Sequence, residues 1–153
     1  MSQLELAAKA RRLDGTRTGI RIREFPEIVV DTMPRFGGTD AGPCPVELML
    51  ASLASCIVET AVYLAKKARV RLGDVTAETR ATVLREGAGY TLRDVETLLR
   101  VQVSPRSLER AKDCLELLDK SCILTGSLMK CPPVKVSIEA ARAKTGSRET
   151  EMI

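Results

Sequence analysis

Apolar or small residues alternate with polar residues along two stretches of the chain, residues 75–84 and 94–103. Because successive side chains of a strand point to opposite faces, this period of two predicts two half-buried strands. The segment Gly87-Ala88-Gly89 lies between the two stretches and has the composition of a turn. We therefore expect an antiparallel β-hairpin.

Shorter β-like patterns occupy residues 4–12 and 20–30, with a turn at residues 14–19 that contains two glycines. A last short strand is predicted at residues 134–138, directly after two consecutive prolines that break the chain. The polar residues 140–153 then form an expected flexible C-terminal tail.

Residues 46–67 have the composition of a helix, and no charged side chain occurs from residue 48 to residue 58. A membrane-spanning helix needs about 20 predominantly apolar residues. Here acidic residues flank the uncharged stretch and two lysines end the helix. We therefore predict a central helix that other elements bury on most sides, with Cys56 in its middle.

A second helix is predicted to begin after Ser104, a suitable N-cap residue that Pro105 follows. Apolar residues then recur at intervals of three and four, at Leu108, Ala111, Leu115 and Leu118. Cys122 is the next position in this series. It is predicted to face the core if the helix continues that far.

The order of the predicted elements is three strands, a helix, two strands, a helix and a strand. This order indicates an α+β protein in which an antiparallel sheet wraps a buried helix. We expect a single domain over residues 1–139. One sheet leaves part of so apolar a helix uncovered, which favours a homodimer that shares its core.

The composition excludes several kinds of chemistry. The chain has 153 residues, a formal net charge of +4 and no histidine, which excludes a Ser-His-Asp triad and any zinc site that contains histidine. Only 3% of the residues are aromatic, so few side chains are available to stack on exposed bases. We do not expect a nucleic-acid-binding protein.

The chain contains five cysteines: Cys44, Cys56, Cys114, Cys122 and Cys131. Their spacing does not match a zinc site, and we expect neither a metal nor a cofactor. The first residues carry no apolar signal core, which favours a cytoplasmic protein, and structural disulfides are rare in that compartment. Each cysteine is therefore either an inert packing thiol or a redox thiol.

Two segments resemble motifs of the OsmC/Ohr family, the osmotically inducible and organic hydroperoxide resistance proteins. The segment from Gly42 to Cys56, GPCPVELMLASLASC, resembles the family's central-helix motif, in which a Pro-x-Glu-Leu-Leu-type start leads to a reactive cysteine. The segment from Cys122 to Leu128, CILTGSL, is similar to the family's second cysteine motif. The two motifs occur in the family's order and on the expected elements.

The resemblance implies an intertwined homodimer of the OsmC-like fold that reduces organic hydroperoxides without a cofactor. Cys56 matches the peroxidatic cysteine and Cys122 matches the resolving cysteine, and an external dithiol would reduce the disulfide between them. Arg17 lies in a turn similar to the family's Gly-Gly-Arg-x-Gly loop and matches the arginine that supports the thiolate. Arg21 or Arg23 also align with that arginine after small shifts.

Two positions depart from the family pattern. Val46 stands ten residues before Cys56, where the organic-hydroperoxide branch has the glutamate that pairs with the arginine, so Glu47 is the nearest carboxylate that would orient Arg17. Ile123 replaces the proline that usually follows the second cysteine. The chain thus resembles a divergent branch. A non-catalytic dimeric domain that binds a small apolar ligand, or a redox sensor, is the alternative function.

Thiol chemistry explains why an arginine is expected near Cys56. An ordinary thiol is only a few per cent ionised at neutral pH, and burial in an apolar helix raises its pKa further. With no histidine in the chain, an arginine is the natural cation to stabilise the thiolate. Glu59, one helical turn after Cys56, would oppose ionisation if it faced the sulfur.

The apolar residues expected around Cys56 favour an organic peroxide over hydrogen peroxide: Phe36, Leu48, Met49, Leu53 and Ile57. The other three cysteines, Cys44, Cys114 and Cys131, are expected to be packing or loop thiols, with Cys131 as a substitute resolving thiol.

Overall fold

The computed structural model describes residues 3–128. Its first three strands, β1 (Lys9–Asp14), β2 (Arg17–Arg21) and β3 (Ile28–Val30), form an antiparallel sheet in the order β1-β2-β3. The turn between β1 and β2 is shorter than predicted and consists of Gly15 and Thr16. Gly15 has a φ of 44°, a left-handed conformation in which the lack of a Cβ avoids strain.

The loop that follows β3 folds back over the end of that strand. Pro34–Phe36 forms a single 3-10 turn, and the chain then passes close to the backbone of β3 and Thr32. A Cβ at Gly38 would clash with the carbonyl oxygen of Thr32, and a Cβ at Gly42 would clash with that of Val29. These two glycines therefore permit the close approach of the loop.

A buried carboxylate joins this loop to the β1–β2 turn. Asp31 is 1% exposed and accepts hydrogen bonds from Thr16 Oγ1 (2.7 Å) and from the Thr39 and Ala41 backbone N–H groups (2.9 and 3.2 Å). Thr39 Oγ1 donates another at 2.6 Å. The hydrogen bonds from Thr39 and Thr16 hold the pKa of Asp31 well below its ordinary range.

We expect Asp31→Asn to lower the free energy of unfolding at neutral pH. The stability of this variant should also fall less than that of the wild type when the pH is lowered. Because the pKa of Asp31 is lower in the folded chain than in the unfolded chain, its contribution is present above about pH 4 and is lost as the pH falls. Urea unfolding midpoints at pH 7 and pH 3 measure this difference. Asp40→Asn, which changes an exposed carboxylate in the same loop, is the matched control. The same pH dependence in Asp31→Asn and the wild type would contradict this role.

The predicted central helix and hairpin are confirmed. Helix α1 (Pro45–Lys67) is followed by the antiparallel strands β4 (Leu72–Glu86) and β5 (Gly89–Val103), which extend beyond the alternating segments. Helix α1 packs along β4 through one buried stripe that comprises Leu53, Ile57, Ala61, Leu64 and Ala65.

The prediction that α1 is buried on most sides is wrong within one chain. Val62 is 48% exposed and Tyr63 is 55% exposed, so the face opposite the buried stripe is open. By length and composition alone α1 is also apolar enough to cross a membrane. Its buried stripe packs instead on the β4–β5 hairpin and on the helices that follow it.

The predicted second helix is not continuous. After a 3-10 turn at Pro105–Ser107 the chain forms three short helices, α2 (Leu108–Leu115), α3 (Leu118–Ser121) and α4 (Ile123–Leu128). Leu108 is 43% exposed, contrary to the predicted stripe, whereas Ala111 and Cys122 are buried as predicted. The predicted strand at residues 134–138 and the predicted tail lie outside the described residues.

Two small clusters form the core around α1. Leu53 and Ile57 pack with Cys122, and Ala65 packs with Val70 and Ala111. The first cluster places the middle of α1 against the junction of α3 and α4, where both candidate cysteines lie.

We expect Ile57→Ala to lower the free energy of unfolding by about 2–5 kcal/mol, because it leaves a cavity in the first cluster. Ile57→Val removes a single methylene from the same place and is expected to cost about 1 kcal/mol. Urea denaturation measures both values. Similar stability in the wild type and both variants would show that this cluster does not hold α1 in place.

Candidate functional site

Cys56 lies in the middle of α1, half-buried beside the core cluster of Leu53 and Ile57. Thr60, one turn later, donates a hydrogen bond from Oγ1 to the Cys56 carbonyl oxygen at 2.7 Å. Ala77 of β4 and Leu99 of β5 pack against the same cluster. The helix and the hairpin thus hold the Cys56 side chain at the edge of the apolar core.

Cys122 lies at the break between α3 and α4 and is 1% exposed. Its N–H group donates to the Leu118 carbonyl oxygen at 2.8 Å, and its own carbonyl oxygen accepts from the Gly126 N–H group at 3.0 Å. Its backbone is extended, with φ −74° and ψ 118°. Hydrogen bonds to both short helices therefore fix the position of Cys122.

The structure brings these two cysteines together from positions 66 residues apart, with their Sγ atoms at 2.9 Å. Both cysteines are free thiols, and a hydrogen bond joins their sulfur atoms. A disulfide has an S–S length of about 2.05 Å, so an approach of about 0.9 Å would bond the two sulfur atoms. The pair is placed for reversible disulfide formation.

The surroundings of the two thiols shift their pKa values in opposite directions. Burial raises the pKa of Cys56, and its hydrogen bond with Cys122 raises it further. Burial also opposes ionisation of Cys122, but the neighbouring Cys56 thiol, the Thr125 hydroxyl and the N–H groups of Thr125 and Leu124 favour its ionised form and lower its pKa overall. Within one chain, ionisation of Cys122 is therefore favoured over that of Cys56.

Arg17 makes no hydrogen bond with Cys56 within the chain and pairs with Asp14 instead. Its Nε donates to Asp14 Oδ1 at 2.7 Å, and its second guanidinium nitrogen pairs with Asp14 Oδ2. In residues 3–128 no arginine donates a hydrogen bond to either sulfur. Of the alternative arginines, Arg23 lies 4.7 Å from the centre of the Phe25 ring, and Arg21 is exposed at the end of β2.

The two glutamates considered near Cys56 have other partners. Glu47 Oε2 accepts the Cys44 N–H group at 2.7 Å and completes a capping box at the start of α1. Glu59 accepts a hydrogen bond from Ser55 Oγ at 3.2 Å and is exposed. The structure therefore brings neither Glu47 to Arg17 nor the Glu59 carboxylate into a hydrogen bond with the Cys56 sulfur.

An apolar pocket of about 640 Å³ lies beside the dithiol and shares Leu53 and Ile57 with the first core cluster. Its lining comes from α1, β5 and the α3–α4 segment: Met49, Leu53, Ile57, Leu92, Val95, Thr97, Leu99, Leu118, Asp119, Thr125 and Leu128. The expected apolar environment of Cys56 is thus partly present. Phe36, however, packs edge-on against Tyr90 at a centroid distance of 5.4 Å.

Sequence reasoning missed Leu124 and Thr125, which act on the sulfurs through their N–H groups and the Thr125 hydroxyl. Their closeness to Cys122 in the chain was the available signal. Cys44 caps α1, and Cys114 donates from Sγ to the Ala111 carbonyl oxygen at 3.2 Å in the second cluster. Cys131 lies outside the described residues.

The site thus consists of one cysteine in the central helix of an α+β fold and a second cysteine in contact with it. The family model described as OsmC-like protein matches residues 38–137. The chain belongs to this OsmC family. No protein with a curated description matches the chain.

Solved structures of the family share the fold. An OsmC-like protein of unknown function from Vibrio cholerae is 17% identical, with a TM-score of 0.70 over 82% of this chain and 94% of that chain. An organic hydroperoxide resistance protein from Elizabethkingia anophelis is 20% identical, with a TM-score of 0.66 over 82% and 89%. An organic hydroperoxide resistance protein OsmC from Legionella pneumophila is 15% identical, with a TM-score of 0.65 over 84% and 91%.

Proposed function

We propose that the protein is a cysteine-based hydroperoxide reductase that uses Cys56 as the peroxidatic thiol and Cys122 as the resolving thiol. The observation that carries this proposal is the 2.9 Å separation of the two Sγ atoms. Two buried packing thiols have no need to lie within bonding reach of each other. Family membership and the names of similar solved structures support the same activity.

The proposed reaction oxidises the dithiol by two electrons. The Cys56 thiolate attacks one peroxide oxygen, the O–O bond breaks, and the departing alkoxide takes a proton to become an alcohol. Cys122 then attacks the sulfur of the resulting sulfenic acid, an S–S bond forms and water leaves. An external dithiol reduces the disulfide by thiol–disulfide exchange and restores both thiols.

The pocket beside the dithiol supports an organic substrate. Its lining is mainly aliphatic, so the organic part of a hydroperoxide would gain free energy by leaving water there. Hydrogen peroxide has no apolar part to bury. The proposed preference is therefore for alkyl and aryl hydroperoxides.

We propose that a second copy of the chain brings the cation that Cys56 needs. The raised pKa of Cys56 disfavours its thiolate in one chain. Apolar side chains are exposed on α1, at Val62 and Tyr63, and on the N-terminal sheet, at Ile28 and Val29, and a homodimer would cover them. In such a dimer Arg17 of the second copy would leave its ion pair with Asp14 and approach the Cys56 sulfur. Glu47 would then be the carboxylate that orients the guanidinium.

The same dithiol and pocket also fit the alternative of a redox sensor or apolar-ligand-binding domain. The raised pKa of Cys56 favours the ligand-binding form of this alternative, because a redox sensor also reacts as the thiolate. The domain is proposed to span residues 1–139, with residues 140–153 as a tail. The cytoplasm is the proposed compartment because it supplies reducing dithiols.

Steady-state consumption of cumene hydroperoxide with dithiothreitol as the external dithiol tests the proposed activity. We expect turnover with cumene hydroperoxide and slower turnover with hydrogen peroxide at the same concentration. Absence of turnover with both peroxides, in protein whose five thiols are shown to be reduced, would favour the non-catalytic alternative.

A further inference from the structure

The hydroxyl of Thr125 has no conventional hydrogen-bond partner. Among residues 3–128, no other buried side-chain oxygen or nitrogen atom lacks a hydrogen-bond partner. Buried polar groups are nearly always paired, because an unpaired group has lost its hydrogen bonds to water without replacement. The position of this hydroxyl therefore requires an explanation.

Thr125 lies close to Cys122 at the start of α4. Thr125 is the third residue after Cys122 and lies in the first turn of α4, where the Cys122 carbonyl oxygen accepts the Gly126 N–H group at 3.0 Å. Its hydroxyl acts on the Cys122 sulfur and favours the ionised form. A thiolate accepts hydrogen bonds more strongly than a neutral thiol does, so the hydroxyl gains its partner when Cys122 ionises.

We propose that Thr125 is a catalytic residue of the second step, in which its hydroxyl donates a hydrogen bond to the Cys122 thiolate before that sulfur attacks the Cys56 sulfenic acid. This proposal rests on the proposed function. It adds a group that controls how quickly the disulfide forms after the peroxide has reacted.

The step balances without any further reactant. The Cys122 sulfur donates an electron pair to the Cys56 sulfur, the S–O bond of the sulfenic acid breaks, and hydroxide leaves and becomes water on protonation. Cys122 is buried, so its thiolate depends on donors supplied by the protein. Two of these are backbone N–H groups of Leu124 and Thr125, and the Thr125 hydroxyl is the one that a side-chain substitution removes.

Thr125→Val removes the hydroxyl and keeps the shape of the side chain, whereas Thr125→Ser keeps the hydroxyl. Reduced protein is mixed with one equivalent of cumene hydroperoxide and quenched at intervals from pH 5 to pH 9, with dimedone to trap sulfenic acid. Mass spectrometry then follows Cys56 oxidation and disulfide formation separately. Without the hydroxyl the pKa of Cys122 should rise, and we expect disulfide formation at pH 7 to slow about tenfold in Thr125→Val.

The midpoint of the pH profile of disulfide formation should also move in the alkaline direction in Thr125→Val. Because Thr125 also lines the pocket, we expect the rate of Cys56 oxidation to change less in Thr125→Val than the rate of disulfide formation does. Thr125→Ser should retain the wild-type rate of disulfide formation. Three results would each overturn the proposal: a wild-type rate and midpoint in Thr125→Val, slower oxidation of Cys56 instead, which would make Thr125 a peroxide-binding residue, or a loss in Thr125→Ser as large as in Thr125→Val.

A measurement without peroxide separates this proposal from the proposed function. In a Cys56→Ser background, the pH dependence of iodoacetamide labelling of Cys122 reports the ionisation of that thiol directly. We expect Thr125→Val, but not Thr125→Ser, to move the labelling midpoint about one unit upward. Absence of cumene hydroperoxide consumption would refute the proposed function, and an unmoved labelling midpoint would refute the role of Thr125.

Discussion

Cys56→Ser is expected to abolish hydroperoxide turnover, with a loss in kcat/KM of about a thousandfold or more. A serine hydroxyl is far less acidic and less nucleophilic than a thiol, and α1 contains no second cysteine that could take over the attack. Cumene hydroperoxide consumption with dithiothreitol in excess measures this loss. The effect is the largest expected for any single substitution because every proposed step passes through this sulfur.

Cys114→Ser is the matched control for that substitution. Cys114 is also half-buried on a helix, but it packs in the second core cluster and its sulfur donates to the Ala111 carbonyl oxygen. We expect it to retain wild-type turnover within about twofold. Persistent activity in Cys56→Ser, or a comparable loss in Cys114→Ser, would contradict the assignment of Cys56.

Arg17→Gln is expected to reduce kcat/KM at pH 7 by about tenfold to a hundredfold. A guanidinium near the sulfur lowers a thiol pKa by about one to two units, so its removal shrinks the thiolate fraction at neutral pH by a corresponding factor. Since ionisation is completed at high pH without the cation, the loss should diminish there. The pH profile of kcat/KM should therefore move in the alkaline direction.

Arg21→Gln and Arg23→Gln test the two alternative arginines in the same assay. We expect both variants to keep the wild-type pH profile, because the proposed dimer uses Arg17. A shifted profile in either variant together with an unchanged profile in Arg17→Gln would reassign the cation. Unchanged pH profiles in all three variants would show that none of these arginines stabilises the Cys56 thiolate.

Local patterns predicted much of the fold. The alternation in residues 75–84 and 94–103 and the apolar run around Cys56 correctly predicted the β4–β5 hairpin and α1, because each pattern depends on the packing of a single face. The second helix was predicted as continuous because its stripe repeats every three or four residues. The short helices α2 to α4 pack on the same core, so apolar residues such as Ala111 and Leu118 recur at this spacing although the helix is interrupted between them.

The contacts of the candidate site were harder to predict. Periodicity placed Cys122 toward the core, but the resemblance to a family paired it with Cys56, since sequence spacing does not encode a contact over 66 residues. The partner of Arg17 is Asp14, three residues away in the same turn. The resemblance predicted a distant partner for Arg17 and not this local ion pair. Asp31 lies outside both motifs, and the second motif contains Thr125 but drew attention only to its cysteine.

Mass spectrometry after one equivalent of cumene hydroperoxide tests most directly whether Cys56 and Cys122 form a functional redox pair. We predict rapid formation of a single Cys56–Cys122 disulfide in the wild type and none in Cys56→Ser. Slow oxidation spread over all five cysteines, without that linkage, would contradict the pair as the basis of activity.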